Sequence, residues 1–150
     1  MEKFLKIGEL ADRARCLPET IRYYERQGLL PPPGRSEKNY RLYDQTHADR
    51  LQFIRHCRSL DMTLGEIRVL LAVRDAPDVS CLEVNELLDG HIAHVAERIA
   101  EMSVLQEQLQ KLRAACSTSK AAGHCGILQE LAKGDDAPSA TLDVHARLSN

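Results

Sequence analysis

Two cysteines nine positions apart, Cys116 and Cys125, enclose the small polar run CSTSKAAGHCG, with His124 beside the second. Thiols at that spacing can close a disulfide, form a redox pair, or act together as soft donors to a thiophilic metal, with the imidazole as a further ligand. Cys81 is a third thiol, thirty-five positions before Cys116. The remaining two cysteines read differently: Cys57 lies among apolar residues of a helical stretch and Cys16 at a turn, so both are packing residues. His47, His56, His91 and His94 are read as surface or packing residues. The total of five cysteines is odd, and the N-terminal run MEKFLKIGELADR has no apolar core of a secretion signal. A cytoplasmic protein with reduced thiols is therefore expected, not a disulfide scaffold.

A second set of residues could read a polyanion. The run PETIRYYERQG carries Thr20, Arg22, Tyr23 and Tyr24 within one helical turn, and Arg26 one turn after Arg22. Downstream, RSEKNYRLYDQ supplies Arg35, Lys38, Asn39, Tyr40 and Arg41. Arginine bonds guanine edges or phosphates, while tyrosine and threonine hydroxyls reach phosphates. The net charge of −2 hides an uneven distribution. Residues 1–75 hold fourteen Lys and Arg against eleven Asp and Glu, and residues 76–150 hold six against eleven. A basic first half joined to an acidic second half fits a nucleic-acid reader with a separate module. Paired carboxylates in a cleft pattern, a glycine-rich phosphate loop and an activated nucleophile are all missing from the sequence, so no enzyme is expected. No apolar run approaches the length of a membrane span.

The elements that must position these groups are mainly helical. Residues 7–15 predict a short helix and 18–27 a second, with Pro18 in its first turn, Leu17 as a poor cap and Gly28 ending it. Two short helices at a tight turn make a helix-turn-helix, and residues 35–45 predict a short strand pair as a wing. Thr46 is the expected cap of the next helix, and Thr63 with Glu66 forms a capping box for the one after it. Between Cys81 and Cys116 there is no proline, and Leu88, Ile92, Val95, Ile99, Met102, Leu105, Leu109 and Leu112 form a near-heptad seam. Such a seam on so long a helix favours dimerisation. GILQELAKG predicts a short helix after the loop. The expected division is a DNA-binding domain with linker helices at 1–75, a dimerisation helix at 80–115, a metal-binding loop and short helix at 116–131, and a flexible tail at 132–150. That tail holds only His145, so no accessory histidine site is expected there.

The blocks IGELADRARCLPETIRYYERQGLLPP, NYRLY and RLQFIRHCRSLDMTLGEIRVLL resemble the MerR family of winged-helix transcriptional regulators, over about residues 5–131. The resemblance implies a homodimer held by a long antiparallel coiled coil. It also implies partners in promoter DNA and RNA polymerase, with activation by bending and untwisting a long-spacer promoter. Arg22, Tyr24, Arg35 and Arg41 become the foremost DNA contacts. Along one helix, Cys81 lies roughly 50 Å from Cys116, so within a chain they cannot meet. Antiparallel pairing would bring the partner subunit's Cys81 to Cys116 and Cys125, making a three-thiolate site. In the family, Cys at the position of Cys81 accompanies divalent ions and Ser monovalent ones. Ser117 stands where the zinc branch has a second loop cysteine, and CRSLDMTLGEIRVLL, NELLDGHIAHV and CGILQEL look closest to the cadmium and lead branch. The effector expected from the resemblance is Cd(II) or Pb(II), with Hg(II) or Zn(II) as alternatives and His124 as a candidate fourth ligand. A thiol redox sensor closing Cys116 to Cys125 is the alternative on the same fold, and a metal buffer or chaperone that merely stores ions is the one from another class.

Overall fold

The computed structural model describes residues 3–119 and 121–134. The expected tail beyond Gly134, with His145, lies outside the described residues. The chain forms two compact units, one ending at Ala93 and the next beginning at His94.

The first unit opens with helices α1 (Ile7–Ala14) and α2 (Pro18–Arg26). Leu17 precedes α2 without a side-chain cap, and Pro18 sits where its missing N–H costs nothing. The end of α2 is a Schellman turn: Gly28 takes φ +74°, its N–H donates to the Glu25 carbonyl, and the Leu29 N–H donates to the Tyr24 carbonyl. Leu29 and Tyr24 are both buried, which supplies the apolar contact that usually accompanies this turn. Strands β1 (Gly34–Arg35) and β2 (Arg41–Leu42) pair antiparallel, Gly34 opposite Leu42 and Arg35 opposite Arg41. Asn39 turns the hairpin at φ 66°. The wing is tied to the N-terminal segment by reciprocal Leu5 and Tyr43 backbone bonds of 2.7 and 2.9 Å.

Helix α3 (Gln45–Ser59) starts two residues earlier than Thr46 as its cap would allow. Its cap is Asp44, whose carboxylate accepts from the His47 N–H at 3.2 Å while His47 Nδ1 faces the Asp44 N–H. Aspartate accepts as well as a hydroxyl, and the imidazole fills the role usually taken by Glu or Gln. Helix α4 (Leu64–Arg74) carries the expected Thr63–Glu66 box, at 3.0 and 3.1 Å. The core of the unit lies where these helices and the wing meet: Leu10, Ile21, Leu29, Tyr43, Leu51, Ile54, Ile67 and Leu71 are essentially inaccessible. Each such side chain contributes about 1.5–3 kcal/mol by leaving water.

Helix α5 runs from Leu82 to Ala114 with no buried residue. Its seam is open in this single chain: Ile92 and Ile99 are each 63% exposed. In the second unit a single 3-10 turn at Ala122–His124 leads into α6 (Gly126–Ala132). Among the described residues, no helix is long and apolar enough to cross a membrane.

Candidate functional site

Helix α2 divides its residues by face. Ile21 and Tyr24 point into the core, whereas Tyr23 and Arg26 are exposed and Thr20 and Arg22 half-buried. Tyr24, expected on the DNA face, is only 7% exposed, and burial pushes its phenol above the ordinary value. Its ring is a packing group. Arg22 is held along the helix by Glu19 at 2.5 Å, an exposed pair that a phosphate can displace at little cost.

The wing presents Arg35, Lys38, Asn39 and Tyr40, all exposed. Arg35 donates to the Asn39 carbonyl at 3.2 Å, and the Lys6 ammonium lies 5.3 Å from the centre of the Tyr40 ring. Arg41 differs from the other wing cations. Its guanidinium donates to Glu25 Oε2 at 3.0 Å, while Glu25 Oε1 accepts from the Tyr43 hydroxyl at 2.5 Å. Glu25 therefore joins α2 to β2, a role the sequence reading left unassigned. The visible signal was an acid on the helix face opposite the open Tyr23.

Burial, and then the bond to Glu25, push the Tyr43 phenol up from 10 to about 12. A raised phenol stabilises the fold while it stays neutral. Stability is thus intact below pH 10 and is lost as pH climbs toward 12. Unfolding free energy measured across that window should fall steeply in the wild type. Tyr43→Phe should flatten that limb, and an equally steep fall in the variant would refute the assignment.

The cysteine loop belongs to the second unit. The Cys116 thiol donates to the Thr118 carbonyl at 3.1 Å, and Arg113 donates to the Cys116 carbonyl at 2.7 Å. The Cys125 N–H donates to the Ala122 carbonyl, and its own carbonyl accepts from Gln129 as α6 begins. None of the five cysteines is in a disulfide. Burial raises the thiols of Cys57 and Cys16, as packing residues require.

The expected three-thiolate centre is not formed. Among the described residues, no three His, Cys, Asp or Glu side chains gather where they could hold a metal. Cys81 is exposed in the first unit, while Cys116 and Cys125 are half-buried in the second, with His124 exposed beside them. The loop contributes two sulfurs, and neither an imidazole nor a carboxylate completes a set of three. The expected mechanism, in which Cd(II) or Pb(II) held by three thiolates distorts a long-spacer promoter, is corrected accordingly: the described donor set does not fit it, because two thiols fall short of the three or four donors such ions take.

Residues 5–73 match the family described as "MerR HTH family regulatory protein", and residues 48–112 match "MerR, DNA binding". A transcriptional regulator described as a ZntR homolog from Haemophilus influenzae is 49% identical over 109 residues, 73% of this chain and 81% of that protein. The crystal structure of PbrR691 from Ralstonia metallidurans CH34 in complex with lead(II) superposes with a TM-score of 0.76 at 51% identity, covering 85% of this chain and 98% of that one. MerR from Bacillus megaterium MB1 in complex with mercury(II) gives 0.66 at 35% identity, covering 85% and 99%.

Proposed function

This chain belongs to the MerR family of helix-turn-helix regulatory proteins, and from that membership we propose that it seats α2 and its wing on duplex promoter DNA and adjusts RNA polymerase output there. It is a homodimeric, DNA-binding, metal-responsive transcription regulator and not an enzyme. The observation that carries the DNA-binding reading is α2's solvent-facing side, with exposed Tyr23 and Arg26 and half-buried Arg22, in one unit with a hairpin that offers Arg35, Lys38, Asn39 and Tyr40. Guanidinium groups on the helix suit base edges and phosphates in the major groove, and the hairpin tip suits the flanking backbone. Arg41, paired to Glu25, acts by holding the wing in place.

For the effector, the reading is a soft divalent ion, Pb(II) or Cd(II) ahead of Hg(II) or Zn(II). It is supported by the two loop thiols and by relatives whose structures hold lead and mercury. Cys116 and Cys125 are the sulfur donors this reading draws from the loop.

The test begins with a duplex selected from genomic fragments by the full-length protein. Arg22→Ala should weaken binding about tenfold and lower the dependence of log affinity on log salt by about one phosphate's worth, as should Lys38→Ala. Transcription by RNA polymerase from that duplex should change severalfold with at least one of Pb(II), Cd(II), Hg(II) and Zn(II). Unaltered salt dependence in both variants would overturn the DNA surface, and a transcript level indifferent to all four metals would overturn the regulatory reading.

A further inference from the structure

The α3–α4 corner ends one helix and starts another, and both ends leave groups of negative character. Helix α3 closes with Asp61 at φ 63°, the Asp61 N–H donating to the Arg58 carbonyl and the Met62 N–H to the Cys57 carbonyl. That turn leaves the Leu60 carbonyl to find a donor elsewhere. Six residues after Leu60, the first turn of α4 holds Glu66, one oxygen of which accepts from the Thr63 N–H. Its other oxygen, and the Leu60 carbonyl, both face a single side chain of α5. His91 Nε2 lies 2.8 Å from the Leu60 carbonyl and His91 Nδ1 lies 3.1 Å from Glu66 Oε2. The imidazole and the carboxylate are 12% and 20% exposed. A carbonyl and a carboxylate can only accept, so the ring makes both bonds only when both nitrogens carry hydrogen.

We propose that His91 is a positioning residue whose ring, set between the Leu60 carbonyl and the Glu66 carboxylate, locks the first turns of α5 to the α3–α4 corner, and that regulation by the protein passes through this lock. The second half of the statement rests on the metal-responsive reading above; the lock itself does not. Val84 and Leu87 add apolar contact with the core on the same stretch of α5, but neither is directional. Two polar contacts from opposite sides of one ring set the rotation of the helix, which apolar contact alone leaves adjustable.

The experiment uses the full-length protein in its wild-type, His91→Ala, His91→Gln and Glu66→Gln forms. Amide hydrogen exchange is followed along α5, and duplex affinity and the transcript ratio with and without Pb(II) are measured in parallel. His91→Ala should speed exchange over residues 84–91 about tenfold and cut the transcript ratio about fivefold, leaving duplex affinity within twofold. His91→Gln, which keeps an amide donor for the Leu60 carbonyl, should recover part of both losses. Glu66→Gln keeps its oxygen for Thr63 and should produce a smaller loss than His91→Ala. Unchanged exchange in His91→Ala would overturn the lock. Faster exchange with an unchanged ratio would overturn its part in regulation, as would a fall in duplex affinity equal to the fall in the ratio. A wild-type protein answering no metal would defeat the functional reading, and the exchange data would still decide the lock.

Discussion

Replacing Glu25 with alanine should cost about 2–3 kcal/mol of stability and lower duplex affinity by at least about tenfold. Both effects come from one carboxylate, 13% exposed, whose two oxygens are each committed. Without it, the hydroxyl of Tyr43 stays in a fully buried ring with no acceptor from α2, a loss of about 1–3 kcal/mol. The half-buried Arg41 guanidinium also loses its counter-charge, which contributes less because water still reaches it. The functional loss follows from the size of the wing. A hairpin with two residues per strand has almost no stability of its own, so its position depends on what pins it. The Leu5–Tyr43 bridge holds its base, and Glu25 holds it against α2.

Urea unfolding and fluorescence anisotropy on the selected duplex measure the two losses. Glu25→Gln, which keeps an oxygen for Tyr43 but no charge for Arg41, should fall between wild type and Glu25→Ala. In a double-mutant cycle with Tyr43→Phe, the losses should be markedly non-additive, since both substitutions break the same bond. Wild-type stability and affinity in Glu25→Ala would refute the pinning role.

How much of this was legible beforehand differs from residue to residue. The helical punctuation was visible because it is local: Pro18 in a first turn, Gly28 at an end and Thr63 with Glu66 each act within four residues. Asp44 escaped because Thr46 offered a more familiar cap two positions on, and because a histidine completes the box. Tyr24 was placed on the DNA face because one helical turn cannot reveal which tyrosine of an adjacent pair faces inward; that depends on the packing of α1 and α3. Glu25 and His91 were missed for a related reason. Their partners lie 16 to 31 residues away, and no periodicity encodes a charge bridging two elements. The cysteines are the opposite case. Their residue types announced soft-donor chemistry, yet the described chain does not assemble three of them.

The loop that carries two of those cysteines depends on a glycine, and Gly126→Ala should open it. Helix propensity predicts the reverse, since Ala stabilises a helix by about 1 kcal/mol over Gly. Sterics decide against propensity here. A Cβ at position 126 would run into the carbonyl oxygen of Ala115 and lie 3.2 Å from its carbonyl carbon. The obstacle is backbone at the foot of α5, which cannot swing aside as a side chain would. The contact is the neck of the loop, and the residues flanking it are Cys116 and Cys125, which it places within roughly 10 Å of each other, Cα to Cα. Helix α6 has seven residues and buries none of them, so it is too short to persist unsupported. Bridging of the two thiols by a trivalent arsenical, read by mass spectrometry, reports the neck directly and needs no metal. The bridged yield should drop about tenfold in Gly126→Ala, and the response to Pb(II) should drop with it. Gly123→Ala, where a Cβ meets nothing within 4 Å, should bridge like the wild type. Equal bridging in Gly126→Ala and wild type would show that the loop closes without its glycine.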